Sequence, residues 1–577
     1  MADYEAQGLA LKAIATAGTR AARLMPVGCN TDFPFQLSTA VFTAGFQAMS
    51  KSLHYLPKGG RNLRLLLVGG AYASAVETAN ASGFPLKLAI AREPAPWNPA
   101  TTYAPGDMVS YYATVSGGGS FNGNPYFVCA TANTASPPTP GNANWTPGTR
   151  PATYPVRVGG VQDATFSTQT TPDGTVVSRA WLRTDVLPIS FDVPGWLGVY
   201  SWMPCSGSQV FPIWGQQQPQ SLGSSLEYAA SIADKTSGTV LSTPRNASVP
   251  SVTPAGIVGV PAQAAKSAIV IGDSIAQGKF PGAAPSIVLA SGGTGYKVGD
   301  ILTLARSGAT PGAVASGSDA RVIVDGVSSG VITAIRTLAT GGYADTSSQT
   351  GQTRPSGTLG LTGGSGSGAT VTVGSYGANA YDDGDPVTGG QGWIKRALLA
   401  IGVPHASFTA SGDRLNLWTG NAGRRLSAMG ELGADIAIIA LGRNDLSAHD
   451  SAATIEANFG ALVAMLKGLG IARVYGVTLT PETTSTSAAG QSTLADQVVT
   501  SNDPVRQAVN AWMRGAGHPF DAVLDVAALI EDGGATTPTG RFTPIGGEPL
   551  SADGKHPGTA GVLAMMPAIT GRPELFA

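Results

Sequence analysis

From His405 to Val526 the chain alternates apolar strands with helices, which restricts this part of it to a parallel sheet covered by helices on both faces. His405–Ala410, Ala434–Leu441, Ala472–Leu479 and Ala522–Val526 read as strands, and Thr454–Leu469 and Pro504–Arg514 as helices. One more apolar strand, Ala268–Gly272, stands upstream, and the helix that should follow it, Gly392–Ile401, comes more than a hundred residues later. A stretch of that length inside a compact domain carries its own fold or none. Phrases such as Gly330-Val331-Ile332-Thr333-Ala334-Ile335 and Gly368-Ala369-Thr370-Val371-Thr372-Val373 predict an inserted β-domain over 282–381, which splits the α/β domain into 267–281 and 382–577.

The full 577 residues exceed what one core can organise. Strand-like runs at Leu63–Leu67, Leu86–Ala91, Tyr154–Val158, Thr175–Ala180, Ile189–Val193 and Trp196–Trp202 predict a β-sandwich assembled from 36–94 and 151–255. The residues between them, 95–150, read as a separate small module. Within 1–35, Leu9, Leu11, Ile14, Ala17, Ala21 and Leu24 have loose helical spacing, read as a packed or attachment helix.

Charge narrows the partners. Lys+Arg 35 against Asp+Glu 36 leaves no basic footprint for nucleic acid or anionic lipid, and a neutral polymer such as polysaccharide fits better. Cys29, Cys129 and Cys205 are far apart and suggest neither a disulfide framework nor a metal site. The opening Met1-Ala2-Asp3-Tyr4-Glu5 is acidic where a secretory signal would be basic, and no apolar run reaches the roughly eighteen residues of a membrane helix. Neither a cleavable signal nor membrane insertion is expected.

Four short phrases carry the chemistry: Gly272-Asp273-Ser274, Ser411-Gly412-Asp413, Gly442-Arg443-Asn444-Asp445 and Asp553-Gly554-Lys555-His556. Ser274, Gly412 and Asn444 each follow a predicted strand, so three segments converge on the carboxyl edge of the sheet, where such folds bind ligands. Taken singly, each has an ordinary explanation as a turn or a helix cap. In this order they resemble the blocks of the SGNH (GDSL-like) hydrolase family. That resemblance implies a flavodoxin-like three-layer α/β domain with Ser274 as nucleophile, His556 as general base and Asp553 orienting it. It also implies an oxyanion hole from the backbone of Ser274 and Gly412 and the amide of Asn444, with no metal or organic cofactor. The first block has Ile275 where the family often has leucine, and the second lacks the family's longer flanking pattern. Of the five histidines, only His556 has a carboxylate three residues before it and proline after it; the other four are assigned to surface or packing roles. Gly326-Val327-Ser328-Ser329-Gly330 matches a nucleophile elbow, but it lies among strand phrases with no helix after it and reads as a hairpin turn.

The module at 95–150 has the order Trp97, Tyr103, Gly106-Asp107-Met108-Val109, Tyr126, Trp145, which resembles small chitin- and cellulose-binding modules. Those four rings are candidate carbohydrate-binding residues, with a packed aromatic core as the equal alternative. The 282–381 phrases resemble modules of phage tail-fibre and tailspike proteins, and the region around Met49–His54 resembles β-domains that precede SGNH modules in phage structural proteins. These resemblances imply a virion tail esterase that binds bacterial surface polysaccharide and removes O-acetyl groups. Other phage tail proteins would be its partners, and a homotrimer stays open although no heptad repeat is present. A non-viral secreted carbohydrate acetylesterase and an inactive receptor-binding tail protein are the alternatives.

Overall fold

A computed structural model describes residues 24–29, 47–68, 71–73, 76–78, 84–98, 101–111, 125–134, 136, 138, 142–166, 168–170, 176–178, 181–204, 225–229, 234, 236, 254–279, 284–297, 299–305, 320–339, 355–377, 390–485, 493–544, 550–551 and 553–577. Leu9, Leu11, Ile14, Ala17, Ala21 and Cys205 lie outside the described residues.

The α/β domain is built on five strands: β1 (Ala268–Gly272), β2 (His405–Thr409), β3 (Ile436–Ala440), β4 (Arg473–Val477) and β5 (Ala522–Leu524). They are parallel throughout and lie in the order β2-β1-β3-β4-β5. Their alternation sends Ile269, Ile271, Ala437, Ile439 and Val474 into one core, with Trp418, Met429, Phe459, Leu462 and Met513. Ala268, Val270, Ile436, Ile438 and Tyr475 enter the other, with Trp393, Ile394, Val562 and Met565. Because residues on both faces are buried, β1 and β3 are almost continuously apolar, which made them readable. Its helices include α1 (Ser274–Gln277), α2 (Gly392–Ala400), α3 (Leu415–Asn421), α4 (Gly423–Leu432), α5 (Arg443–Ser447), α6 (Ala452–Gly468), α7 (Asp503–Arg514) and α8 (Thr559–Met565), with shorter ones at Ala527–Ile530 and Pro567–Thr570. Ser451 caps α6 by accepting from the Thr454 amide at 3.2 Å.

Between α1 and α2 the chain forms a six-stranded antiparallel sheet of its own, in the order Ala284–Thr294, Ser367–Gly377, Gly357–Thr362, Ile301–Leu304, Arg321–Ser328, Val331–Ala339. Its core includes Leu302, Val322, Val324, Ile332, Val371 and Val373. Gly326–Gly330 runs from the end of one strand through the hairpin turn that joins it to the next, with Ser329 and Gly330 at positive φ, and no helix follows.

Upstream, a six-stranded sheet includes Gln47–Leu56, Phe84–Glu93 and Gly195–Pro204, and a four-stranded sheet holds Met25–Pro26, Gly256–Val260, Arg61–Val68 and Trp181–Arg183. Leu63, Leu65 and Leu67 from one meet Leu88, Ile90, Leu197 and Val199 from the other, a sandwich core. Two expectations change here. Met25–Pro26, assigned to an N-terminal helical segment, is a sandwich strand paired with Gly256–Val260. Ile189–Val193 is not a strand: Phe191 makes only an isolated bridge to Gly60, because Pro188 and Pro194 on either side have no amide hydrogen to donate.

The four-stranded sheet also docks on the α/β domain. Its Leu66, Val68 and Val258 join the core beneath α4, Trp181 Nε1 donates to Ser427 Oγ at 3.0 Å, and Arg183 pairs with Glu431 at 3.2 Å. Gly256 lies so close to α4 that a Cβ there would fall 2.2 Å from Leu432 Cδ2.

Candidate active site

The carboxyl ends of β1, β2 and β3 bring three of the four phrases together, and the loop before α8 brings the fourth. Asp273 caps α1 by accepting from the Ile275 amide at 2.9 Å, which sets Ser274 at the first helical position, where backbone amides have no intrahelical acceptor. Ser274 Oγ is 2.9 Å from His556 Nε2, and His556 Nδ1 is 2.8 Å from Asp553 Oδ2. A carboxylate at Nδ1 requires the proton there, so Nε2 presents its lone pair to the serine hydroxyl. Asp553 is held in turn: Oδ1 accepts from the amides of Lys555 at 2.9 Å and His556 at 2.8 Å, and from Ser551 Oγ at 3.2 Å. Burial acts to raise its pKa, but the His556 charge and these hydrogen bonds outweigh it and hold the carboxyl at about 2.

Gly412 sits in the turn after β2 at φ +82°, a conformation that L side chains avoid, and a Cβ there would meet nothing within 4 Å. Its neighbour Asp413 is fully buried. It accepts from Trp418 Nε1 at 2.8 Å and Arg425 Nη1 at 2.7 Å, while the guanidinium stacks on the Trp418 ring with Cζ 3.9 Å from the centroid. Asn444, on α5, donates through Nδ2 to the Asp413 carbonyl at 3.1 Å. An amide nitrogen has two hydrogens, so this bond fixes the side chain and leaves the second for an acyl oxygen. Asp445 anchors α5 by accepting from the Leu415 amide at 3.0 and 3.1 Å; burial pushes its carboxyl up to about 6. Burial likewise pushes Asp273 up to about 6 against its bond to Ile275. Ser274, Asp553, His556, Gly412 and Asn444 thus belong to one constellation.

The aromatic set is different. Trp97, Tyr103 and Trp145 are 7%, 6% and 5% exposed and form the core of the 95–150 module with Val109, Tyr111, Phe127 and Cys129. Edge contacts join Trp97 to Tyr111 and Tyr103 to Trp145. Tyr126, 1% exposed, donates to Glu93 Oε2 at 2.9 Å and accepts from Lys51 Nζ at 3.2 Å, which fastens the module to the sandwich. A buried ring offers no face to a pyranose, so these four are packing residues rather than a sugar platform. A module this small has little else with which to fill its centre.

His54 and His405 are buried, His449 is exposed, and His518 lies beside Phe520. Sequence reasoning missed a charged set beside the triad: Arg443 and Lys555 both pair with Glu482. Arg443 and Lys555 lie inside the quoted phrases, which was the available signal; Glu482 lies in a loop and gave none.

Residues 367–562 match the model of the GDSL-like Lipase/Acylhydrolase family. The matched span contains Gly412, Asn444, Asp553 and His556 but starts inside the inserted sheet, downstream of Ser274, because the insertion parts the first block from the rest. No curated protein matches the chain. Among solved structures, a GDSL-like lipase from Bacteroides thetaiotaomicron is 14% identical, covering 32% of this chain and 82% of that one, with a TM-score of 0.23. A carbohydrate esterase family 3 protein from Talaromyces cellulolyticus is 16% identical over 30% and 72%, TM-score 0.20. A peptidoglycan O-acetylesterase is 14% identical over 54% and 91%, TM-score 0.21.

Proposed function

We propose that the α/β domain is a serine acyl-ester hydrolase working through an acyl-Ser274 intermediate. The observation that carries this reading is the unbroken hydrogen-bonded line from Ser274 Oγ through His556 to Asp553. In the first half-reaction Oγ attacks the ester carbonyl carbon as its proton passes to Nε2, and the negative charge forms on the carbonyl oxygen. Nε2 then returns that proton to the departing alcohol. In the second half-reaction water takes the place of the alcohol, giving up a proton to Nε2, and Nε2 returns that proton to Oγ as the acyl–oxygen bond breaks and the acid leaves Ser274. Asp553, ionised at every working pH, balances the imidazolium formed in both steps. The amides of Ser274 and Gly412 and the Asn444 side chain are the donors offered to the oxyanion.

The substrate we propose is an O-acetylated bacterial surface polysaccharide, and the setting a phage tail. This part draws on the balanced charge of the sequence, on the β-rich modules and on their resemblance to tail proteins, and owes nothing to the Trp97–Trp145 rings. Release of nitrophenol from a nitrophenyl acetate by the full chain, lost in Ser274→Ala, tests the reaction; equal rates in the two proteins would end it. Acetate released from O-acetylated but not from de-O-acetylated polysaccharide tests the substrate, and the presence of the chain in purified virions tests the setting.

A further inference from the structure

Glu482 lies in the loop after β4, and its carboxylate is shared between two cations. Oε1 takes Lys555 Nζ at 2.8 Å, and Oε2 pairs with Arg443 Nη2. Arg443 immediately precedes Asn444 on α5, and Lys555 immediately precedes His556. The next residue adds a second tie, since the Thr483 amide donates to the Gly554 carbonyl at 2.9 Å. Gly554 adopts φ +73° with its Cα pressed against this loop, and a Cβ there would fall 1.8 Å from the Thr483 carbonyl oxygen.

We propose that Glu482 is a positioning residue that ties the helix carrying the Asn444 amide to the turn carrying His556 and so fixes their separation. The proposal rests on the hydrolase reading of this site. Side-chain exposure of 4% for Arg443, 15% for Glu482 and 30% for Lys555 places the bridge where water screens it only partly on the Lys555 side. Without the carboxylate, two cations face each other across the space it occupied. Lys555 is left with only its 3.5 Å bond to Ser447 Oγ at the end of α5, and the His556 turn with that contact and its backbone tie to Thr483. A displacement of about 1 Å in a catalytic group costs on the order of a hundredfold in rate, and because Glu482 does not hold the ester, the loss falls on kcat.

The test uses the full chain with Glu482→Gln, Lys555→Met and the double variant, scored by acetate-ester hydrolysis, by thermal melting and by the proton NMR signal of His556 Nδ1–H. The expected result is a ten- to hundredfold fall in kcat for Glu482→Gln with KM within twofold, and a shifted or broadened Nδ1 proton. The double variant should lose less than the product of the single losses. Wild-type kcat in Glu482→Gln, or a kcat loss that only follows the loss of folded protein, overturns the proposal. If the wild type hydrolyses no acyl ester, the hydrolase reading fails by itself, and the NMR signal decides the positioning role: unchanged in Glu482→Gln, it overturns that role.

Discussion

The Ser274–His556–Asp553 line and the Lys51–Glu93–Tyr126–Tyr200 cluster are both hydrogen-bonded sets of polar side chains, but one hangs on loops at the edge of a sheet and the other lies on the face of one. His556 and Asp553 keep 12% and 23% of their side chains exposed. Lys51 and Glu93 keep 3% and 0%, and Tyr200 adds a bond to Glu93 Oε1 at 2.6 Å. Similar residue types therefore serve different ends. Where backbone geometry presents them to solvent they can meet a substrate, and where a second module covers them they hold two pieces of protein together. Position on the fold, more than chemical type, divides reactivity from cohesion.

Four measurements test that contrast. Ser274→Ala should cut kcat by about a millionfold, with the melting temperature nearly unchanged, since only a small hydroxyl is lost. Glu93→Gln should do the reverse, because it leaves Lys51 buried beside a neutral group. Stability should fall by about 3–5 kcal/mol in denaturant titration while kcat of the folded protein stays at the wild-type value. Loss of ester hydrolysis in Glu93→Gln at temperatures where it is folded would erase the division. Asn444→Ala should lower kcat about a hundred- to a thousandfold with little change in KM, the pattern of a donor used only in the transition state.

The smallest effect sharpens the contrast within the site itself. Asp273 has a folded pKa raised to about 6 by burial, so its ionisation opposes folding. The stability it allows is fully present below the unfolded value near 3.8 and is lost as pH rises through about 6. Asp273→Asn, which can still cap α1, should therefore melt higher than wild type at pH 7 to 8, with the gain disappearing below about pH 4.

What could be read in advance follows the same physics. β1 and β3 are short runs of buried aliphatic residues, and the step from strand to Ser274 or Asn444 is a local signal. α3 and α4 went unread, because neither has a side-chain cap, and α4 opens on Gly423 after Ala422. Their place is set by Asp413, whose bonds to Trp418 and Arg425 form only in the folded chain. The rings of the small module were legible as a group but not as buried or exposed, since a sugar platform and a miniature core use the same residues. Glu482 was invisible for a simpler reason: its two partners come from distant parts of the chain, and a lone glutamate in a loop has no pattern.

The missing side chain at Gly256 reaches beyond packing. With α4 resting directly on the sandwich backbone there, and Trp181 and Arg183 gripping the same helix, the joint has no room to rock. The position of the upstream sandwich therefore fixes which way the sheet edge bearing Ser274 faces.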